Sequence, residues 1–172
     1  MKNRLFLTLL GVSTYFFAVT TAHAQMSIAL NPMAKSWTLN GTVFTAKSKT
    51  TDILNALGGA NRQLSNPNRT QYLFDSLGLM VEADADGNTS IRVFLGKSIR
   101  ASEPLKPYTG TLLIADAPIT AALSIAEVKA KTPAITWEDL MGKGLIYAGK
   151  GVMMMVDTRS GKVNDVGFGL KK

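Results

Sequence analysis

The chain has 172 residues, with 19 lysines and arginines against 12 acids, a formal net charge of +7, no cysteine and one histidine. Without cysteine it has no disulfide and no thiolate chemistry, and a single imidazole is too few for the Cys/His sets that hold zinc. The basic balance alone does not select nucleic acid, because the lysines and arginines are scattered and form no stripe that could follow a phosphate backbone.

Residues 1–24 read as an export signal. Lys2 and Arg4 make a basic start, residues 5–19 are apolar, and Ala22-His23-Ala24 is a small-x-small cleavage site. The apolar run is short for a membrane span, and no second one follows. The expected mature protein begins at Gln25, is periplasmic or secreted, and has no stable membrane insertion. Cleavage removes Lys2, Arg4 and the only histidine, leaving 17 basic residues against 12 acidic ones, a charge of +5, over 148 residues. Ser-His-Asp and Cys-His nucleophile systems need an imidazole base, so the mature chain is expected not to be an enzyme of those kinds.

Residues 25–35 read as a loose N-terminal segment closed by Pro32. In Trp37-Thr38-Leu39-Asn40-Gly41-Thr42-Val43-Phe44-Thr45 the Asn-Gly pair predicts a hairpin. Thr50 is placed to cap a short helix with Ile53, Leu54 and Leu57 on one stripe, ended by Gly58-Gly59. Residues 61–68 are polar, contain Pro67 and read as a loop.

The stretch 72–95 carries the clearest pattern. Leu79, Val81 and Ala83 alternate with Met80, Glu82 and Asp84; Asp86-Gly87 makes a turn; Ile91, Val93 and Leu95 resume the alternation. The five residues from Asp84 to Asn88 look like a calcium loop only at a glance. Counted from Asp84, position six is Thr89 rather than glycine and position twelve is Leu95 rather than an acid, so a hairpin tip is expected.

Residues 97–107, with two prolines, read as a solvated linker. A second strand pair then runs through Ile114 and Ile119, with Ala115-Asp116 at the place of Asn40-Gly41. Ser124 and Glu127 form a capping box for a helix carrying Ile125 and Val128, stopped by Pro133. Residues 136–140 suit a short strand or a helical turn. The stretch 145–170 repeats the earlier pattern, with Val152, Met154 and Val156 inward, a Ser160-Gly161 turn, and Val166, Phe168 and Leu170 returning. Matching Gly87 to Gly161 gives an offset of 74, which suggests an internal duplication.

The expected fold is therefore α+β: two tandem β-β-α-β-β-β repeats, residues 36–96 and 108–172, each an antiparallel sheet with one short helix. The order of hairpin, capped helix ending in Leu57-Gly58-Gly59, then Phe74-Asp75-Ser76-Leu77-Gly78-Leu79 resembles a family of small exported, immunity-like bacterial proteins. The tandem repeat is also similar in architecture to the beta-lactamase inhibitory proteins, although there helices precede the sheet. Both resemblances imply a protein that binds another protein, and neither supplies site residues.

No catalytic, cofactor or metal residue is assigned. Asp75, Glu138 and Asp139 are the carboxylates weighed for a hydrolase, but no spacing links them. The aromatic residues Tyr72, Phe74, Trp137 and Tyr147 are expected in the core. The candidate partner-binding residues follow from strand parity. If Leu79 and Val81 face inward, Met80 faces outward, and the same register turns Met153, Met155 and Phe94 out, beside the bare Gly167 and Gly169. An apolar outer face is either covered by a repeat or a loop, or an adaptable interaction patch. The expected function is a non-enzymatic exported protein-binding module, most specifically an immunity or inhibitor protein against a secreted toxin or hydrolase. An envelope-assembly or small-ligand module is the alternative.

Overall fold

A computed structural model describes residues 25–97, 99–149 and 151–171; the expected signal segment lies outside them. In chain order the elements are β1 (Ser27–Asn31), β2 (Ser36–Leu39), β3 (Thr42–Thr45), α1 (Thr50–Leu57), β4 (Arg62–Asn66), β5 (Arg69–Phe74), β6 (Leu79–Asp84) and β7 (Thr89–Phe94). The second half supplies β8 (Thr111–Ile114), β9 (Ala117–Pro118), α2 (Ile125–Lys131), β10 (Glu138–Asp139), β11 (Gly144–Gly149), β12 (Val152–Arg159) and β13 (Lys162–Leu170).

The turn chemistry works as the residue types require. Asn40-Gly41, Ala115-Asp116 and Ser160-Gly161 all have two successive positive φ angles, the backbone of tight two-residue hairpins. Asp86-Gly87 sits in a longer turn between β6 and β7, with positive φ only at Gly87. Ser124 and Glu127 cap α2 reciprocally: the Ser124 N–H donates to Glu127 at 2.7 Å, and the Glu127 N–H donates to Ser124 Oγ at 3.4 Å. Helix α1 starts one residue differently than expected, with Lys49 at the N-cap, and ends at Gly58 in the left-handed conformation (φ 84).

The two separate α+β units expected from the sequence are not what forms. Strand makes up 46% of the described residues and helix 10%, and their strands join two sheets in a sandwich-like arrangement. The five-stranded sheet runs β3-β2-β1-β8-β9, and the eight-stranded sheet runs β10-β11-β12-β13-β7-β6-β5-β4. Both halves of the chain contribute to both sheets. They meet at two seams: β7 pairs antiparallel with β13, and β1 pairs parallel with β8. The physical reason is edge satisfaction. A four-stranded meander from each half would leave β7 and β13 as long apolar edges, and pairing them removes both.

The segment 25–35, expected to be loose, provides β1, which sits between β2 and β8 and buries Ile28 and Leu30. The polar stretch 61–68 provides β4, an edge strand with a mostly exposed face. The short-strand alternative for residues 136–140 is the one that forms, as β10.

One continuous core lies between the sheets. It takes Ile28, Leu30, Trp37, Leu39, Phe44, Leu112 and Ile114 from the small sheet. Leu79, Val81, Ile91, Val93, Met154, Val156, Val166 and Phe168 come from the large one. Ile53 and Leu57 of α1 and Val128 of α2 close its flanks. Trp37 stacks on Phe44, its cross-strand partner, with ring centroids 4.5 Å apart. Tyr108 is buried, and its hydroxyl donates to the Met26 carbonyl at 2.7 Å, tying the start of β1 to the start of β8; burial pushes its pKa up to about 12. Of the aromatics expected inside, Phe74 is fully buried, while Tyr72, Trp137 and Tyr147 pack half-buried at the core margin.

Gly78 shows where backbone packing is tightest. Its φ is +70, and a Cβ there would collide with the Tyr108 backbone nitrogen. Gly161 has φ +75 but open space around it. Gly161→Ala should therefore cost about 1 kcal/mol, from backbone strain alone. Gly78→Ala should cost about 3 kcal/mol or more, because strain and collision add. Chemical denaturation of the two variants checks the ordering; equal losses would contradict the close approach of residues 107–108 to Gly78.

Candidate functional site

The core claims one face of the eight-stranded sheet; the site lies on the other. Opposite residues of paired strands share a face, so register alone builds it. Gly167 stands between Arg92 and Met155, and Gly169 between Ser90 and Met153. Two cross-strand rows result, each polar on the β7 side, bare on β13 and methionine on β12. The missing side chains of Gly167 and Gly169 leave a trough along the β7–β13 seam.

That trough is a cavity of about 380 Å³, lined by Met80, Phe94, Met153 and Met155 together with Arg69, Gln71, Glu82 and Arg92. A second hollow of about 140 Å³ shares Glu82, Ser90, Met153 and Gly169 with it and extends it to Lys171. All four residues expected on the outer face thus line one groove, but they differ in exposure. Met153 is 48% exposed, whereas Met80 is 6% exposed and packs with Leu73 and Phe94 in a small cluster of its own.

Lys97 and residues 99–107, expected as part of a solvated linker, are tied to the sheet at both ends and form a strap along one end of this face, where Arg100, Ser102 and Glu103 line the same cavity as Met80 and Phe94. At the β4 edge the Arg62 guanidinium donates to Asp75 through both Nε (2.7 Å) and Nη2 (2.6 Å) and to the carbonyls of Ala101 and Glu103. Asp75 also accepts the Leu105 N–H at 3.1 Å. At the far end Arg159 donates to the Lys97 carbonyl at 2.7 Å. The hydrogen bonds from Arg62 hold the Asp75 carboxyl below the usual range. Arg100, Ser102 and Glu103 of the strap form one end wall of the groove, and Ile99 and Leu105 turn their apolar side chains to solvent.

Beneath the strap lies a compact charge cluster. Asp165 of β13 is 4% exposed, and its Oδ1 makes no hydrogen bond among the described residues. Arg92 Nε is 3.3 Å away, and Asn164 donates to Oδ2 at 2.9 Å. Burial raises the Asp165 pKa, the nearby Asp157 and Glu103 carboxylates add to that, and Arg92 and Asn164 oppose it. The buried Glu103 accepts the Ile99 N–H at 2.9 Å and lies 4.0 Å from both Arg100 and Arg159. Neither Asp165 nor Glu103 stood out in the sequence. The signal that could have found Asp165 is parity, since Val166, Phe168 and Leu170 point inward and leave residue 165 on the outer face.

The carboxylates weighed for a hydrolase do not meet. Asp75 anchors the strap next to β4, and Glu138 and Asp139 form β10 at the opposite edge of the same sheet. Asp139 accepts the Gly142 N–H at 2.8 Å and pairs with Lys129 at 3.2 Å, and these contacts, the Gly142 hydrogen bond first, hold its pKa low. In the 84–88 turn, Asp84 accepts the Asn88 backbone and side-chain N–H groups, each at 2.8 Å, as a hairpin tip would. Among the described residues no group of three or more His, Cys, Asp or Glu side chains is placed to hold a metal ion, and no helix is long and apolar enough to cross a membrane.

The fold and site define a two-sheet β protein with a strapped, glycine-floored groove on the outer face of its larger sheet. The chain matches the model of a domain of unknown function (DUF7738) over residues 28–129 and belongs to that family. The matched stretch runs from β1 into α2 and so includes the strap, β7 and the polar wall of the groove. No curated protein and no solved structure matches the chain.

Two outcomes follow from this geometry. Met154 is fully buried while its neighbour Met153 faces the groove. Met154→Ala should lose about 2–5 kcal/mol of stability, whereas Met153→Ala should stay within about 0.5 kcal/mol of the parent; denaturant midpoints distinguish them. The second outcome concerns Asp165. Its folded-state pKa is raised above the unfolded one, so its favourable contribution is complete at acid pH and is lost as pH rises through the folded value. Asp165→Asn should therefore raise the melting temperature near pH 7.5, with the gain shrinking toward zero as the pH falls below the ordinary carboxylate range. A gain that is constant with pH would refute the charge burial.

Proposed function

We propose that this is an exported, non-enzymatic binding module that receives a segment of another protein in the groove along β7 and β13. Its most specific form is an immunity or inhibitor protein that neutralises a secreted toxin or hydrolase. The observation that carries the reading is the groove. An outer sheet face is normally filled with solvated side chains, yet here two glycines keep it open between a methionine wall and a polar wall. Methionine side chains repack around varied partners, which suits recognition of a protein surface. The groove carboxylates are engaged in holding its walls: Glu82 accepts from Arg69 and Gln71, and Glu103 accepts the Ile99 N–H of its own strap. That supports binding over catalysis. Export is supported by the composition of residues 1–24. A small-ligand module is the second reading, favoured by the strap closing one end of the groove.

Gly169→Val tests the reading without disturbing the backbone. The φ of Gly169 is ordinary, and a Cβ there would meet Ser90 Cβ at 3.5 Å and the Met153 carbonyl at 3.7 Å, normal contacts. The larger side chain fills the groove floor. Partners captured from a periplasmic extract are identified by mass spectrometry, purified and measured against both proteins. The expected result is an unchanged melting temperature and at least tenfold weaker binding by Gly169→Val. Equal binding by the two, or no partner captured by the wild type, would overturn the proposal.

A further inference from the structure

The chemistry of the occupant can be taken further, on the reading that the groove receives a partner protein. Arg92 is the central observation. Its guanidinium lies over the bare Gly167, where a Cβ would be 3.5 Å from Nε and 3.8 Å from Nη2. It makes no hydrogen bond among the described residues, and its one close partner is the buried Asp165 at 3.3 Å, which touches Nε. The two Nη groups are left as donors at the middle of the groove. Asp165 holds Nε, and the missing side chain of Gly167 lets the guanidinium lie across the groove floor.

Around that donor set the walls are two-sided. Along one side run Arg92 and Ser90, and along the other Met155 and Met153, with each pair two residues apart on its strand. An extended chain lying on the glycine floor sends successive side chains to opposite edges, with the same edge recurring about every 7 Å. Wall spacing and occupant spacing therefore agree. From the row of Arg92 and Gly167 to the row of Thr89 and Leu170 the open part of the groove spans three residue steps, about 10 Å, so about three residues of an extended segment lie on it and the rest extend beyond its open end.

We infer that the groove binds an extended segment in which apolar side chains alternate with polar ones, the polar edge placing a carboxylate on the Nη groups of Arg92 and the apolar edge packing on Met153 and Met155. The guanidinium fork matches a carboxylate in a paired geometry that lysine cannot reproduce.

Three amidated pentapeptides serve as probes: acetyl-Leu-Asp-Leu-Ser-Leu, the same peptide with Asn in place of Asp, and the scramble acetyl-Leu-Leu-Leu-Asp-Ser. Decanoate is the non-peptide arm. Each is titrated calorimetrically into the wild type, Gly169→Val, Arg92→Lys and the double variant Arg92→Gln/Asp165→Asn. The double variant removes the ion pair as a unit, so no buried charge is left unpaired and the fold is retained. Expected results are binding of the Asp peptide, about tenfold weaker binding of the Asn peptide and the scramble, a similar loss with Arg92→Lys, and a greater one with the double variant. Equal binding of the Asp and Asn peptides, or an unchanged affinity in the double variant, overturns the recognition of an acid. If Gly169→Val still abolishes both of those peptides, the groove remains the binding site. No peptide bound by the wild type overturns the inference outright, and capture of the natural partner then judges the groove independently. Decanoate bound more tightly than the Asp peptide, with the same Arg92 dependence, overturns the peptide occupant in favour of a carboxylate amphiphile.

Discussion

The backbone ladder between β7 and β13 is the constraint on which the rest of this molecule depends. It pairs residues 71 to 81 positions apart in sequence and converts two four-stranded meanders into one eight-stranded sheet. Its register decides both faces at once. With Val166 opposite Val93 and Phe168 opposite Ile91, the core receives four apolar side chains from the seam. The same register sets Gly167 opposite Arg92 and Gly169 opposite Ser90. A one-residue slip would turn Phe168 to solvent and the glycines to the core, so the packing that stabilises the sandwich also holds the groove open. Stability and site geometry share one cause.

The strap adds a second dependence, electrostatic rather than apolar. Its ends are fastened by arginines, Arg62 at β4 and Arg159 at the end of β12, and each arginine donates to strap backbone carbonyls. Between them the strap brings Glu103 near Asp165, which also has Asp157 beside it, with Arg92 at Asp165 and with Arg100 and Arg159 at Glu103. Burying ionised groups is unfavourable unless they are paired, and the unsatisfied Oδ1 of Asp165 shows that the pairing is incomplete. Arg92 answers that charge with Nε at 3.3 Å and makes no side-chain hydrogen bond among the described residues.

Much of the local structure is legible in the sequence because its causes are local. Alternation places Leu79, Val81, Met154 and Val156 inward and Met80, Met153, Met155 and Phe94 on the other face. Asn40-Gly41 and Ser160-Gly161 mark their turns because few other pairs accept two positive φ angles. The sheet assembly is not legible, because pairing between β7 and β13, or β1 and β8, leaves no mark in either strand's own pattern. The expectation of two α+β units fails there. Strand β1 is hidden for a related reason: Ser27-Ile28-Ala29-Leu30 offers only two apolar positions before Pro32, and its stability comes from neighbours on both sides. The proline-bearing strap looks solvated by composition and is ordered by distant arginines. Arg92 and Asp165 likewise become a pair only once the seam exists.

Covering and exposure turn out to be divided along the groove rather than alternatives. At the strapped end Met80 and Phe94 are buried with Leu73 in a small apolar cluster and line the same cavity as Arg100, Ser102 and Glu103 of the strap. At the open end Met153 stays half exposed beside Gly169. The sheet face therefore has a fixed part and an accessible part, and Arg92 sits where they meet. In the proposed binding mode a partner would touch side chains of the accessible part, Met153, Met155 and Arg92, rather than all four apolar residues. In that mode the methionines along one edge would tolerate varied side chains, while Arg92, held by Asp165, would select a carboxylate along the other.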